Sequence, residues 1–262
     1  MTQILFSNTS DFTTDMSQPI HFDADKKYEA ALLSIDLYNS IPNITEENNK
    51  FKYSTDSGNT WKFITLNKGS YELAGINDEI QRQMIINGDY DNINNEFYIN
   101  IATNISELKS VIDITNRSYL VDFTVGNSIG PTLGFQPRII QYGYNKSQDI
   151  VKITKVHSVL VNVNIISGSY VNGYQSPAIY SFDPNRVSPG YKVHERPNPQ
   201  LIFYPVNRPC IDSIRVWLTD QNNKLIDLRS KTVTVKLYIR EIPNVKQQIK
   251  TAIKELKAEN IL

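Results

Sequence analysis

The chain has 262 residues, 27 basic and 27 acidic side chains, and one cysteine, Cys210. A chain of this length buries a core without metal or disulfide support. A balanced charge argues against a globally basic nucleic-acid binder, and one cysteine excludes an intrachain disulfide and a cysteine-rich zinc site.

The first 25 residues, beginning "MTQILFSNTSDFTTDM", contain one short apolar run, Ile4 to Phe6, and read as an extended N-terminal arm. They lack the basic and apolar regions of a signal peptide, and no apolar run in the chain approaches the roughly 20 residues that span a bilayer. From residue 27 to 241 the pattern alternates at period two between Asn/Asp/Gly/Ser/Pro clusters, which predicts antiparallel strands. The predicted strands are 27–39, 51–54, 61–66, 96–101, 109–114, 119–124, 150–166, 178–182, 201–206, 211–220 and 231–241. The last is the cleanest, with Val233, Val235, Leu237 and Ile239 on one face and Thr232, Thr234, Lys236 and Tyr238 on the other. His157 shares the parity of Val159, Val161 and Val163, which places it at the rim of the core. Trp217 falls out of step with Ile214, Val216 and Leu218, so the alternation leaves its face open.

Two helices interrupt this pattern. Around 70–87, Ser70 is the expected N-cap, Leu73, Ile76, Ile80 and Met84 form an apolar stripe, and Gly88 is a stop signal. The segment 243–262 reads as a C-terminal amphipathic helix. Val245, Ile249, Ile253 and Leu256 line one face among Lys246, Lys250, Lys254 and Lys257, and it either folds back on its own domain or docks on a neighbour. The polar stretch 136–149 is a candidate seam or insertion boundary within a β domain spanning 26–242.

The stretch "FDPNRVSPGYKVHERPNPQLIFYPVNRP" (182–209) is rich in proline, which fixes φ and withdraws backbone donors. It reads as a pre-stiffened connection between sheets, with Gly190 free to take positive φ. Asp183, Arg186, Tyr191, Glu195, Arg196 and Arg208 are candidates to pin the loop or meet a neighbouring subunit. Asp220 and Arg229, near the ends of the connection between the last two strands, belong to the same class. No phosphate loop, dinucleotide fingerprint, nucleophile elbow or zinc-protease motif occurs, so no cofactor, metal or catalytic residue is assigned. Asp89, Asp91 and Asn94 supply oxygens of the type calcium takes, but the segment lacks the glycine an EF-hand needs and reads as a polar turn.

Four segments occur in a telling order: "SYELAGINDEI", "VDFTVGNSIGPTLGF", "SFDPNRVSPGYKVHERPNPQLIFYPVN" and "IDSIRVWLTDQNNKLIDLRSKTVTVKLYIRE". Together they resemble the penton (minor capsid) proteins of Polinton/Maverick elements and the related virophages and adintovirus-like viruses, over about residues 28 to 241. The resemblance implies an all-β antiparallel jelly-roll sandwich, here with extra strands, one short internal helix and the C-terminal amphipathic helix. It implies a non-enzymatic homopentamer at the five-fold vertices of a virion, surrounded by a double jelly-roll major capsid protein, with no small-molecule substrate. Two other readings remain open at this level. One is a lectin-like or receptor-attachment sandwich using Trp61, Trp217 and the tyrosines. The other is a hydrolase using Asp183, Glu195 or His194.

Overall fold

The structure is a computed structural model that describes residues 1–197 and 200–242. The helix expected over 243–262 lies outside the described residues, as does Pro199. Strands β1 (Thr2–Ser7), β2 (Asp11–His21) and β3 (Tyr28–Tyr38) come first. A long excursion follows through β4 (Lys50–Ser54), β5 (Lys62–Thr65), α1 (Leu73–Ile86), β6 (Ile99–Asn104), β7 (Lys109–Ile114), β8 (Leu120–Asp122), β9 (Ile139–Ile140) and β10 (Gly143–Lys146). The chain then forms β11 (Val159–Val163), β12 (Ser169–Val171), β13 (Tyr174–Ser176), β14 (Ala178–Phe182) and β15 (Lys192–Glu195). It finishes with β16 (Tyr204–Pro205), β17 (Cys210–Thr219) and β18 (Val233–Glu241).

One sheet runs β1-β18-β3-β15, with β16 also paired to β3, and a second runs β14-β11-β17-β2. Along the chain these strands fall in the first sheet, the second, the first, twice in the second, twice in the first, and then once in the second and once in the first. Two antiparallel sheets threaded in that order are a jelly roll. Their inner faces share one apolar core, with Leu32, Ile35, Val235 and Leu237 from one sheet and Val161, Val163, Ile214 and Val216 from the other. The excursion between β3 and β11 has a core of its own. There α1 lays Leu73, Ile76, Ile80 and Met84 against residues of β4 to β9, including Phe51, Tyr53, Ile101 and Ile140.

The first 25 residues are not an extended arm, which corrects the reading from sequence. β1 pairs with β18, and β2 pairs with β17, so both are sandwich strands. β2 is an edge strand whose inward positions Phe12, Met16 and Ile20 are only partly buried, and Thr14 and Gln18 dilute the apolar alternation. Residues 136–149 hold β9 and β10, which pair with β8 and β7 inside the excursion, and the chain rejoins the sandwich at Val159. Only Val159–Val163 of the predicted strand 150–166 is a strand, and His157 is exposed rather than at the core rim. Helix α1 has Glu72 rather than Ser70 at its N-cap, with no side-chain cap bond. Trp217 points outward beneath Arg215, and a register shift between Ile211 and Ser213 explains why Ile211 and Ile214 are both buried.

The segment 121–138 packs closely within the second core. Phe123 packs against both Phe51 and Phe135, at ring-centroid distances of 5.9 and 5.5 Å, and full burial of each ring is worth about 1.5–3 kcal/mol. The turn closing this cluster puts Gly134 at φ +83°, where a Cβ would drive into the Asp149 carbonyl and come within 3.0 Å of Ser147 Oγ. Backbone cannot yield there, because the Asp149 N–H donates back to the Gly134 carbonyl at 2.9 Å. Gly134→Ala should therefore cost at least about 3 kcal/mol in urea unfolding. Gly88→Ala, at φ +77° with nothing within 4 Å, should cost only the left-handed backbone term of about 1–2 kcal/mol. Equal losses at the two sites would contradict the tight approach at Gly134.

Candidate functional site

The sequence candidates divide between the two ends of the sandwich. Asp183, Arg186, Gly190 and Tyr191 lie in the loop between β14 and β15, and Asp220 and Arg229 in the loop between β17 and β18. Both loops flank the end where the chain leaves β3 and re-enters β11. Arg196 and Arg208 belong to the connection from β15 to β17, beyond the other end of β15, and are exposed. Among the described residues neither forms an ion pair.

The loop after β14 is built as its sequence suggests. Asp183 caps a short 3₁₀ turn, accepting from the Asn185 N–H at 2.9 Å, and Pro184 takes the first turn position, where a missing N–H costs nothing. Arg186 Nη1 reaches Glu195 Oε1 at 3.3 Å, and Glu195 is 7% exposed on the inner face of β15. Gly190 sits at φ +87° and its N–H donates to the Asn39 carbonyl at 2.7 Å. The Asn39 N–H donates to the Tyr191 carbonyl at 2.9 Å, and Asn39 Nδ2 to the Val187 carbonyl at 2.7 Å. Asn39, the first residue after β3, thus ties the loop down with three hydrogen bonds.

The loop after β17 is held in the same way. Asp220 Oδ1 accepts from the N–H groups of Asn222 and Lys224, at 2.8 and 2.9 Å. Asp227 Oδ1 accepts from the Arg229 N–H at 2.8 Å, with Arg229 at φ +50°. Lys68 of the excursion reaches Asp227 at 2.5 Å and holds that carboxyl below the usual aspartate range. Ser40 Oγ donates to the Leu228 carbonyl at 2.8 Å, and Gln221 Nε2 to the Lys155 carbonyl at 3.0 Å. Both crossings between the two cores are therefore bonded to the sandwich loops.

Asp183, His194 and Glu195, the hydrolase candidates, do not converge. On β15, Val193 and Glu195 face the core, while Lys192 and His194 face out. His194 pairs with Asp36 across the register with β3, and Asp183 spends its carboxylate on Asn185. Among the described residues, no group of three His, Cys, Asp or Glu side chains could hold a metal ion. Asp91 is the turn fastener expected, accepting from the N–H groups of Ile93 and Asn94 and from the Tyr98 hydroxyl. The two tryptophan faces are covered by cations, Lys52 over Trp61 at 4.7 Å and Arg215 over Trp217 at 4.9 Å.

What sequence reasoning missed is a groove of about 590 Å³ between the two cores. Its walls come from five separate segments of the chain, including Ile41, Leu73, Leu108, Val156 and Val187. Ile105 is 80% and Leu108 66% exposed at its rim. Lys155 also lines it. The apolar walls desolvate that ammonium and hold its pKa below the ordinary lysine value, Glu47 opposing the shift. The one local signal was an apolar pair in a polar turn, "NISELKS", where Leu108 takes φ +55°. Exposure of that pair is a tertiary property and had no sequence signature.

No protein-family model matches the chain, and no curated protein matches it in sequence. Several solved structures are similar to it in course. A crystal structure of selenomethionine-labelled mavirus penton protein is 12% identical with a TM-score of 0.48, over 92% of this chain and 99% of that one. The 3.5 Å cryo-EM structure of the Sputnik virophage is 12% identical with a TM-score of 0.44, over 94% of this chain and 99% of that one.

Two outcomes follow from the site geometry. Arg186→Ala strands the buried Glu195 carboxylate and should cost about 1–2 kcal/mol, less than a fully buried pair because the arginine is largely exposed; Glu195→Gln should cost less. Denaturation of the two variants checks this, and no loss in Arg186→Ala would contradict it. The Asp91 carboxyl is held at about 2, first by the Tyr98 hydroxyl and then by Asn94. Because that lies below the ordinary aspartate value near 3.9, the loop's support is intact above about pH 4 and is lost as pH falls toward 2. Carbon-detected NMR titration should place the Asp91 midpoint near 2, and a midpoint near 4 would show the loop is not held.

Proposed function

We propose that this chain is a structural capsid protein, a penton-like jelly roll whose copies close the five-fold vertices of an icosahedral shell. One observation carries the reading. Three of the four segments whose order resembles the penton proteins are scattered in sequence but gather at one end of the sandwich. "SYELAGINDEI" supplies Ser70, Tyr71 and Leu73 to the groove, and the 182–191 loop supplies Pro184, Val187 and Pro189. The 220–231 loop is bonded to Ser40 and Lys68 beside them. The fourth, 121–138, braces the same region, with the Thr132 carbonyl accepting from the Lys152 N–H at 2.9 Å. Such a cluster of rigid turns without convergent acid, base or metal-binding groups suits a subunit that must hold a fixed shape. In this reading the protein works in the virion, with copies of itself and a double jelly-roll major capsid protein as partners.

A glycan- or receptor-binding reading has one observation in its favour. The β12–β13 hairpin, turned by Asn172 and Gly173 at positive φ, displays Tyr170 and Tyr174 at 69% and 79% exposure. Native mass spectrometry over a concentration series separates the two. The capsid reading predicts a five-subunit species that grows with concentration. A monomer under all assembly conditions, combined with glycan-array binding, would replace it with the second reading.

A further inference from the structure

The most exposed large apolar side chain in the second core's module is Ile93, at 94% exposure. It tips the loop that follows α1, and that loop is rigid by construction. Asp91 and Glu96 exchange backbone hydrogen bonds at 3.2 Å in both directions. Asp91 Oδ1 takes the Ile93 and Asn94 N–H groups at 2.8 and 3.0 Å, the Tyr98 hydroxyl binds the same carboxylate, and the Tyr90 hydroxyl binds Asn95. A stiff loop thus holds an isoleucine in water between two carboxylates. Ordering has already been met in the free chain, so docking it loses little further entropy.

The groove is the complement of this knob. Its rim is apolar through Ile105 and Leu108, and its charged lining is Lys109, Lys155 and Arg186 against the one carboxylate of Glu72. Lys109 donates to the Gln148 carbonyl and Arg186 is paired with Glu195, whereas Lys155 forms no ion pair among the described residues. The backbone beside it, Ile153 to Val156, donates no hydrogen bond from its N–H groups among the described residues. Helix α1 separates the two features: Leu73 at its start lines the groove, and the loop after Ile86 carries the knob. Fourteen residues of helix place them about 21 Å apart, at opposite ends of one strut. A knob cannot fill the hole of its own chain across that span.

We propose that the Asn92–Asn94 tip of one copy seats Ile93 in the junction groove of a second copy, with Asp91 and Glu96 facing Lys155. Because knob and hole are different surfaces, the contact is heterologous, and its repetition closes a ring or grows an open chain according to the rotation it imposes. The proposal rests on the capsid-vertex reading and specifies the anchor of its subunit contact.

The test uses two exposed substitutions in the full chain, Ile93→Asp to disable the knob and Leu108→Glu to disable the hole. Ile105→Glu replaces the latter if Leu108→Glu fails to fold by circular dichroism. Sedimentation velocity should show wild type as a ring and each variant alone as a monomer, with self-association at least about 30-fold weaker. Mixed together, the variants retain one intact knob and one intact hole between them, so they should form a one-to-one heterodimer and nothing larger. If either variant closes rings like wild type, this contact is wrong and the vertex reading stands. Monomeric variants whose mixture gives no heterodimer would show that knob and hole do not meet. If wild type itself forms no ring, the vertex reading fails and the contact fails with it.

Discussion

The fold turns on where one excursion leaves and re-enters a jelly roll. β3 lies in one sheet and β11 in the other, so a chain passing between them must cross at one end of the sandwich. Asn39 and Ser40 occupy the outgoing crossing and bind three loop carbonyls: Val187 and Tyr191 on one side, Leu228 on the other. These groups are backbone, and leaving any unpaired in a part-buried junction costs about 1–3 kcal/mol. Their satisfaction fixes both loops, and the one after β14 forms a wall of the groove through Pro184 to Pro189. A second core is thereby attached by a junction rather than by a flexible linker.

Strands with clean alternation were legible, as at Thr232–Ile239, because one face meets a core and the other meets water. Edge strands were less so. β2 shows its apolar signal only at Phe12, Met16 and Ile20, and β15 is four residues long with Glu195 at an inward position. β17 broke parity at its register shift, which sequence alone presents as an ambiguous Trp217. Of the candidate residues, Asp183, Asp220 and Gly190 were readable because turn chemistry is local. Arg186 found Glu195 nine residues on, at the end of β15, a short enough reach to anticipate. The groove was not readable at all, since its walls come from segments more than a hundred residues apart. Arg196 and Arg208 are exposed beyond the other end of β15 and form no ion pair among the described residues.

The proline-rich stretch acquires a clear mechanical role. Pro184 starts a capped turn, Gly190 permits the reversal that meets Asn39, and Pro205 ends a two-residue strand on β3. Each fixes the path between the sheets while asking little of the hydrogen-bond ladder. Of the charged residues along it, Asp183 accepts from the loop's own Asn185 N–H and Arg186 meets the one buried carboxylate, Glu195. The proposed capsid role would draw on this stiffness, because an interface repeated around a ring accumulates any angular error in a single copy.

The central physical claim is that the two cores behave as one cooperative body because both crossings are bonded to the sandwich loops. The chain carries its own reporters, with Trp61 beside the second core and Trp217 on the sandwich. Urea unfolding of Trp217→Phe and Trp61→Phe, each followed by the remaining tryptophan's fluorescence, measures the two cores separately. The account predicts coincident midpoints and equal slopes. Two distinct midpoints, with one core melting while the other stays folded, would contradict it.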